Sequence, residues 1–201
     1  MGSDPISKRI VGILLAAGSG ARFGGGKLLA PLPAASHGVG AGTPIGAAAA
    51  LHLMAALNDV VAVVRPGDSM LHHRLEATGA RVVVCDRASE GMGTSLAYAV
   101  GESSDADGWI VALGDMPWIA PPTIHAVADA LRAGAEIAAP SHRGERGHPV
   151  GFSKPYGRVL TTLAGDEGAR TVVAARQWAL RIVDVDDPGA LRDVDRPADL
   201  K

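Results

Sequence analysis

With 201 residues, 47% of them hydrophobic, the chain is long enough to bury a sizeable core and is expected to form one domain spanning residues 8–201. A formal net charge of −2 gives no footprint for nucleic acid, and Pro31, Pro33 and Pro44 interrupt the longest uncharged stretch, so no membrane span is expected. The lone cysteine, Cys85, rules out an intramolecular disulfide and fits a reducing cytoplasm.

Taken in chain order, residues 1–7 are expected to be a flexible start, partly vector-derived. Lys8 and Arg9 ahead of IVGILLAA imitate a secretory signal, but Asp4 and the patterned loop that follows at once argue against secretion. Short β-branched runs then alternate with Ala/Leu-rich helical patterns, which predicts an α/β fold around a mostly parallel sheet. Strands are predicted over 9–15, 60–65, 81–85, 109–114, 136–140, 148–152 and 180–185. Helices are predicted over 45–57, 69–78, 93–101, 121–133, 154–163 and 168–177. Pro121 and Pro122 mark a helix start, with Ile124, Val127, Ala128 and Leu131 on one face. Residues 33–43, PAASHGVGAGT, read as a loop.

The placement of charge is more informative than its sum. No Asp or Glu occurs from Pro5 to Asn58, while Lys8, Arg9, Arg22 and Lys27 do, so that end suits anions. Six aspartates (Asp184, Asp186, Asp187, Asp193, Asp195 and Asp199) crowd into the sixteen residues from Asp184. They form either a cation site or a solvated acidic surface.

Residues 14–32, LLAAGSGARFGGGKLLAPL, put a glycine-rich turn straight after the first strand, where backbone N–H groups can approach phosphate oxygens. It is not a P-loop, since Ala21 and Leu28 occupy the required Gly and Ser/Thr places. Nor is it a dinucleotide fingerprint, because Phe23 stands at the third glycine. A second signal is WIVAL ending in Gly114-Asp115-Met116-Pro117. Asp115 at a strand's carboxyl end either ligates Mg²⁺ in the ligand crevice or bonds its own backbone before proline.

Together, LAAGSGARFGGGK and GDMP resemble the MobA-like nucleotidyltransferases, specifically the molybdenum cofactor cytidylyltransferase branch. Leu15, Ala16, Ala17, Gly18, Arg22, Gly24 and Lys27 match the family's L-A-A-G-x-x-x-R-x-G-x-x-K. GMGTSL (91–96), GHPV (147–150), GDEGAR (165–170) and DVDRPADL (193–200) match further motifs in order. Arg196 in place of threonine, Thr94 in place of serine, bare Gly25-Gly26 and a long 33–43 segment depart from the pattern.

The resemblance implies a three-layer Rossmann-like nucleotidyltransferase fold with a mixed, mostly parallel sheet, and Mg²⁺-dependent transfer of CMP from CTP to molybdopterin. It implies catalytic Arg22, Lys27 and Asp115, and nucleotide contacts from Leu15, Ala16, Ala17, Gly18, Gly20, Ser95 and Gly114. Asp195, with Asp193 as the alternative, would join Asp115 on the metal. The Ala17 methyl, where the guanylyl branch has glycine, narrows the base site toward a pyrimidine. Ser95 either meets the base or caps a helix. His148 contacts the acceptor, orders its loop or titrates. Asp166 and Arg170 bind the acceptor or pair with each other. His72 and His73 lack further Cys or His at ligand spacing and read as helix surface, and Met92 and Met116 as packing. A molybdoenzyme is the implied recipient. Two alternatives remain, an NADP-dependent oxidoreductase of the nicotine-blue reductase type and a non-catalytic molybdenum cofactor carrier.

Overall fold

The computed structural model describes residues 8–200; the start expected to be flexible, residues 1–7, lies outside the described residues. Strands β1 (Ile10–Leu15), β2 (Val60–Val64), β3 (Arg81–Val84), β4 (Gly108–Leu113), β5 (Ile137–His142), β6 (Glu145–Arg146), β7 (Val150–Ser153) and β8 (Leu180–Asp184) form one sheet. Their order is β3-β2-β1-β4-β7-β5-β6, with β8 on the other side of β5. Strands β3, β2, β1 and β4 run parallel, β7 runs antiparallel to both β4 and β5, and β8 is parallel to β5. The sheet is therefore mixed and mostly parallel, as expected.

Six α-helices cover it: α1 (Ile45–Ala56), α2 (Ser69–Glu76), α3 (Met92–Gly101), α4 (Pro121–Arg132), α5 (Gly157–Leu160) and α6 (Ala169–Ala175). The period of two along each strand divides its side chains between two cores. Ile10 and Leu14, Ala62 and Val64, and Ile110 and Ala112 face α1, α2 and α4. Val11 and Ile13, Val61 and Val63, and Trp109 and Val111 face α3, α5 and α6. Both faces being covered explains why β1, β2 and β4 read as continuous apolar runs rather than alternating ones. Each buried Val, Leu or Ile contributes about 1.5–3 kcal/mol relative to exposure.

Three details differ from the sequence expectation. The helix predicted over 154–163 is a 3₁₀ turn, Lys154–Tyr156, followed by the four-residue α5. Pro155 lacks an N–H, and Thr161 Oγ1 and Thr162 Oγ1 donate to the carbonyls of Gly157 and Val159, closing the segment. The helix predicted over 168–177 stops at Ala175 and gives way to a 3₁₀ turn, Gln177–Ala179. The two-residue β6, which pairs with β5 in a hairpin, is too short to leave a periodic signal.

The 33–43 loop is folded over the outer side of α1. Leu32 and Val39 are buried against Ala48 with Trp118 beside them, and His52 Nε2 meets the Ser36 carbonyl at 3.1 Å. This cover explains why α1 is apolar almost all round. Among the described residues, no helix is long and apolar enough to cross a membrane.

Candidate active site

The parallel strands β1 to β4 all end on one side of the sheet, and the order reverses direction between β1 and β4. A crevice at such a switch point is where sheets of this kind bind ligands. The Gly114 N–H donates to the Leu15 carbonyl at 3.0 Å, so the two strand ends, and the loops that follow them, are tied side by side.

The loop after β1 depends on glycine for its path. Gly20, Gly24, Gly25 and Gly26 have φ of 61°, 93°, 91° and 63°, the left-handed region that side chains disfavour. Two 3₁₀ turns, Ala21–Phe23 and Lys27–Leu29, are thereby folded back so that Lys27 reaches the end of β4. Among the described residues, the backbone N–H groups of Ala17, Gly18, Ser19 and Gly20 meet no backbone acceptor, leaving four donors together at the strand end.

Lys27 Nζ donates to Asp115 Oδ2 at 2.6 Å, with both side chains mostly buried. Arg22 Nη1 lies 3.2 Å from Asp195 Oδ2 in a more exposed pair. The Val194 N–H donates to the Asp115 carbonyl at 2.9 Å, which brings the acidic C-terminal segment against the GDMP turn. Asp115 and Asp195 thus offer hard oxygen donors on two segments joined by that bond, each paired with a cation from the glycine loop. This donor set fits a divalent cation that takes one or two carboxylates together with substrate oxygens.

The other aspartates of the segment divide by role. Asp187 is buried, its Oδ2 accepting from the Ala120 N–H and Thr123 Oγ1 at the start of α4 and its Oδ1 from the Gly189 N–H. The N–H groups of Arg196 and Asp195 hold the Asp199 carboxyl below the usual carboxylate range and fix the last turn. Asp193 and Asp186 are exposed.

A cavity of about 670 Å³ opens above the ends of β1–β4, lined by Leu15, Ala17, Gly18, Ser95, Asp115 and, from the neighbouring loop, Asp166. Ala16 packs beneath it in the core, and Gly114 lies so close behind it that an added Cβ would stand 3.1 Å from the Leu15 carbonyl. Ser95 is not a cap, since Gly91 holds the N-cap position of α3; Ser95 Oγ lies 3.5 Å from the Gly91 carbonyl.

A second cavity, of about 260 Å³, adjoins the first and shares Leu15, Met92, Leu113 and Asp166 with it. His148, Arg170 and Arg146 complete its polar lining, and Val111, Val150 and Val173 its apolar floor. Asp166 and Arg170 make no ion pair with each other among the described residues, so both face the cavity unpaired. Burial, and then the nearby Arg146 guanidinium, push the His148 imidazole below the usual histidine value, and its Nδ1 is buried without a partner.

Beside the larger cavity, at Gly91, two segments meet in close backbone contact. An added Cβ at Gly91 would lie 2.2 Å from the Gly165 carbonyl carbon, and one at Gly93 would lie 2.4 Å from the Glu167 carbonyl oxygen. GMGTSL and GDEGAR are therefore interlocked, and Thr94 Oγ1 accepts the Gly165 N–H at 3.2 Å.

Sequence reasoning missed Arg65, Asp86 and Ser89 in the larger cavity and Arg146 in the smaller one. The signal for two of them was present: Arg65 follows VVAVV and Asp86 follows RVVVC, the same strand-end position that singled out Asp115. Arg65 is held by Asp68, with Nε at 2.8 Å from Oδ2.

A model of the MobA-like NTP transferase domain matches residues 12–181. The chain belongs to this family. Purine catabolism protein PucB of Bacillus subtilis (strain 168) is 31% identical over 205 residues, covering 95% of this chain and 94% of that protein. Nicotine blue oxidoreductase of Paenarthrobacter nicotinovorans is 28% identical over 197 residues, covering 92% of each. The crystal structure of Rv0371c from Mycobacterium tuberculosis H37Rv superposes with a TM-score of 0.79 at 28% identity, covering 96% of this chain and 95% of that one. A complex of Rv0371c with manganese gives a TM-score of 0.74 at 27% identity, covering 95% of each chain. The fold and domain are those of the nucleotidyltransferases.

Proposed function

We propose that this chain, acting as one cytoplasmic domain, transfers CMP from CTP to the phosphate of a molybdopterin-type acceptor, with Mg²⁺ as the divalent cation. The observation that carries the reading is the pair of adjoining cavities, with Asp115 lining the larger one and Lys27 bonded to its carboxylate. Two substrates seated in them meet where charge neutralisation is available.

The reaction joins an acceptor phosphate oxygen to the α-phosphorus of CTP while the bond from that phosphorus to the bridging oxygen breaks. Pyrophosphate leaves with the electron pair. A phosphomonoester has its second pKa near about 6, so the nucleophile is largely ionised at neutral pH and needs no general base. His148, kept neutral by burial, then positions the acceptor rather than moving a proton. Arg170 and Arg146 face the acceptor phosphate, and Asp166 stands between the two substrates. The N–H groups of residues 17–20 and Arg22 hold the triphosphate, and Lys27 stabilises charge on the transferred group. Asp115 and Asp195 would hold Mg²⁺, which neutralises triphosphate charge when bound.

Two groups support cytosine. The Ala17 methyl narrows the space beside the strand end, and the Asp86 carboxylate suits the exocyclic amino group of cytosine. The product would pass to a molybdoenzyme. Incubation with CTP, Mg²⁺ and molybdopterin, following pyrophosphate, tests the reading.

A second reading, NADP-dependent hydride transfer, is favoured by the 28% identity to nicotine blue oxidoreductase. Lys27 and Asp115 weigh against it, because hydride transfer needs no carboxylate-held cation. A carrier of molybdenum cofactor would bind the acceptor and release no pyrophosphate.

A further inference from the structure

Helix α2 carries a second constellation, away from both cavities. His72 and His73 are neighbours in the chain, and Glu76 lies four residues beyond the first and three beyond the second, so its carboxylate is within reach of both imidazoles. His72 Nδ1 stands 3.3 Å from Glu76 Oε2, and His73 Nδ1 stands 3.5 Å from the same oxygen. One ligand atom from each of the three lies within 4.8 Å of the other two. The imidazoles are nearly perpendicular, at 86° with centroids 5.9 Å apart, and converge on the carboxylate from two directions.

Two chemistries compete to explain this. A charge-assisted N–H···O bond prefers about 2.7–2.9 Å, and both contacts are longer than that. A tetrahedral zinc ion bonded at about 2.0–2.1 Å to nitrogen and oxygen spaces its ligands about 3.3–3.4 Å apart. One edge of the triangle, at 3.3 Å, already has that spacing, and a second, at 3.5 Å, is close to it.

We propose that His72, His73 and Glu76 bind a divalent transition-metal cation of the Zn²⁺ class, with the remaining position open to solvent. Imidazole donors select zinc, copper or nickel over magnesium, so the site is chemically separate from the oxygen donors Asp115 and Asp195. Among the described residues, this is the one group of three His, Cys, Asp or Glu side chains so arranged.

Calorimetric titration of ZnCl₂ into the protein near neutral pH, with Mg²⁺ in excess to occupy the oxygen donors, tests the proposal. The expected result is one saturable site, weakened at least about tenfold by His72→Gln, by His73→Gln and by Glu76→Gln, with unchanged circular dichroism. Absence of saturable binding in the wild type would overturn it. So would equal affinity in the wild type and all three variants.

Discussion

Lys27 and Asp115, 88 residues apart in the chain, are joined Nζ to Oδ2 at 2.6 Å. The pair explains how a loop poor in apolar residues is held over the sheet. Asp115→Asn keeps an acceptor for Lys27 but loses the charge. It is expected to abolish Mg²⁺-dependent turnover and to lower stability by about 1–3 kcal/mol, because the mostly buried Lys27 ammonium keeps an acceptor but loses its counter-charge. Turnover and thermal unfolding measured on the same preparation check both halves.

Lys27 and Arg22 are expected to separate in kinetics. Lys27 is mostly buried beside Asp115, whereas Arg22 is exposed and meets the outlying Asp195. Lys27→Ala should lower kcat by about 10²-fold or more, as loss of a charge-stabilising donor does. Arg22→Ala should mainly raise the KM for CTP. Steady-state kinetics that show equal rates and equal affinities in both variants would return the loop to a connecting role.

The base site makes a separate expectation. CTP should bind in preference to GTP, ATP and UTP, and Asp86→Ala should lower the preference for CTP over UTP by about tenfold, within the 1–3 kcal/mol that such contacts supply. Competition binding in Mg²⁺ measures it. GTP binding as tightly as CTP would overturn the base assignment and leave the transferase reading standing.

Acid sensitivity follows from two histidines. Burial is the main cause that lowers the pKa of both His52 and His148 from the ordinary value of 6.5. The unfolded chain therefore takes up more protons than the folded one as pH falls below 6.5, so stability is flat above that value and is lost below it. Unfolding temperature measured across this range should fall on acidification, and His52→Gln should flatten part of the slope.

Much of this arrangement is legible in the sequence, for physical reasons that particular residues make plain. IVGILL and WIVAL are apolar on both faces because helices cover both sides of the sheet, so β1 and β4, and Asp115 at the end of the latter, stand out. The chain after Ser153 does not, because Pro155 and the Thr161 and Thr162 hydroxyls compete with helical bonding over only a few residues. The role of Gly91 and Gly93 is equally hidden. Their missing side chains leave room for Gly165 and Glu167, more than 70 positions away, and no local pattern encodes that contact. Asp86 and Arg65 carry the same strand-end signal as Asp115, but only the strand order β3-β2-β1-β4 shows that their strand ends border one crevice.

Pyrophosphate release is the measurement closest to the central claim that two substrates exchange a nucleotidyl group at Lys27 and Asp115. With CTP, Mg²⁺ and molybdopterin, the wild type is expected to release one pyrophosphate per cytidylylated acceptor, and Asp115→Asn none. No pyrophosphate from the wild type, together with acceptor-dependent oxidation of NADPH in parallel, would contradict it.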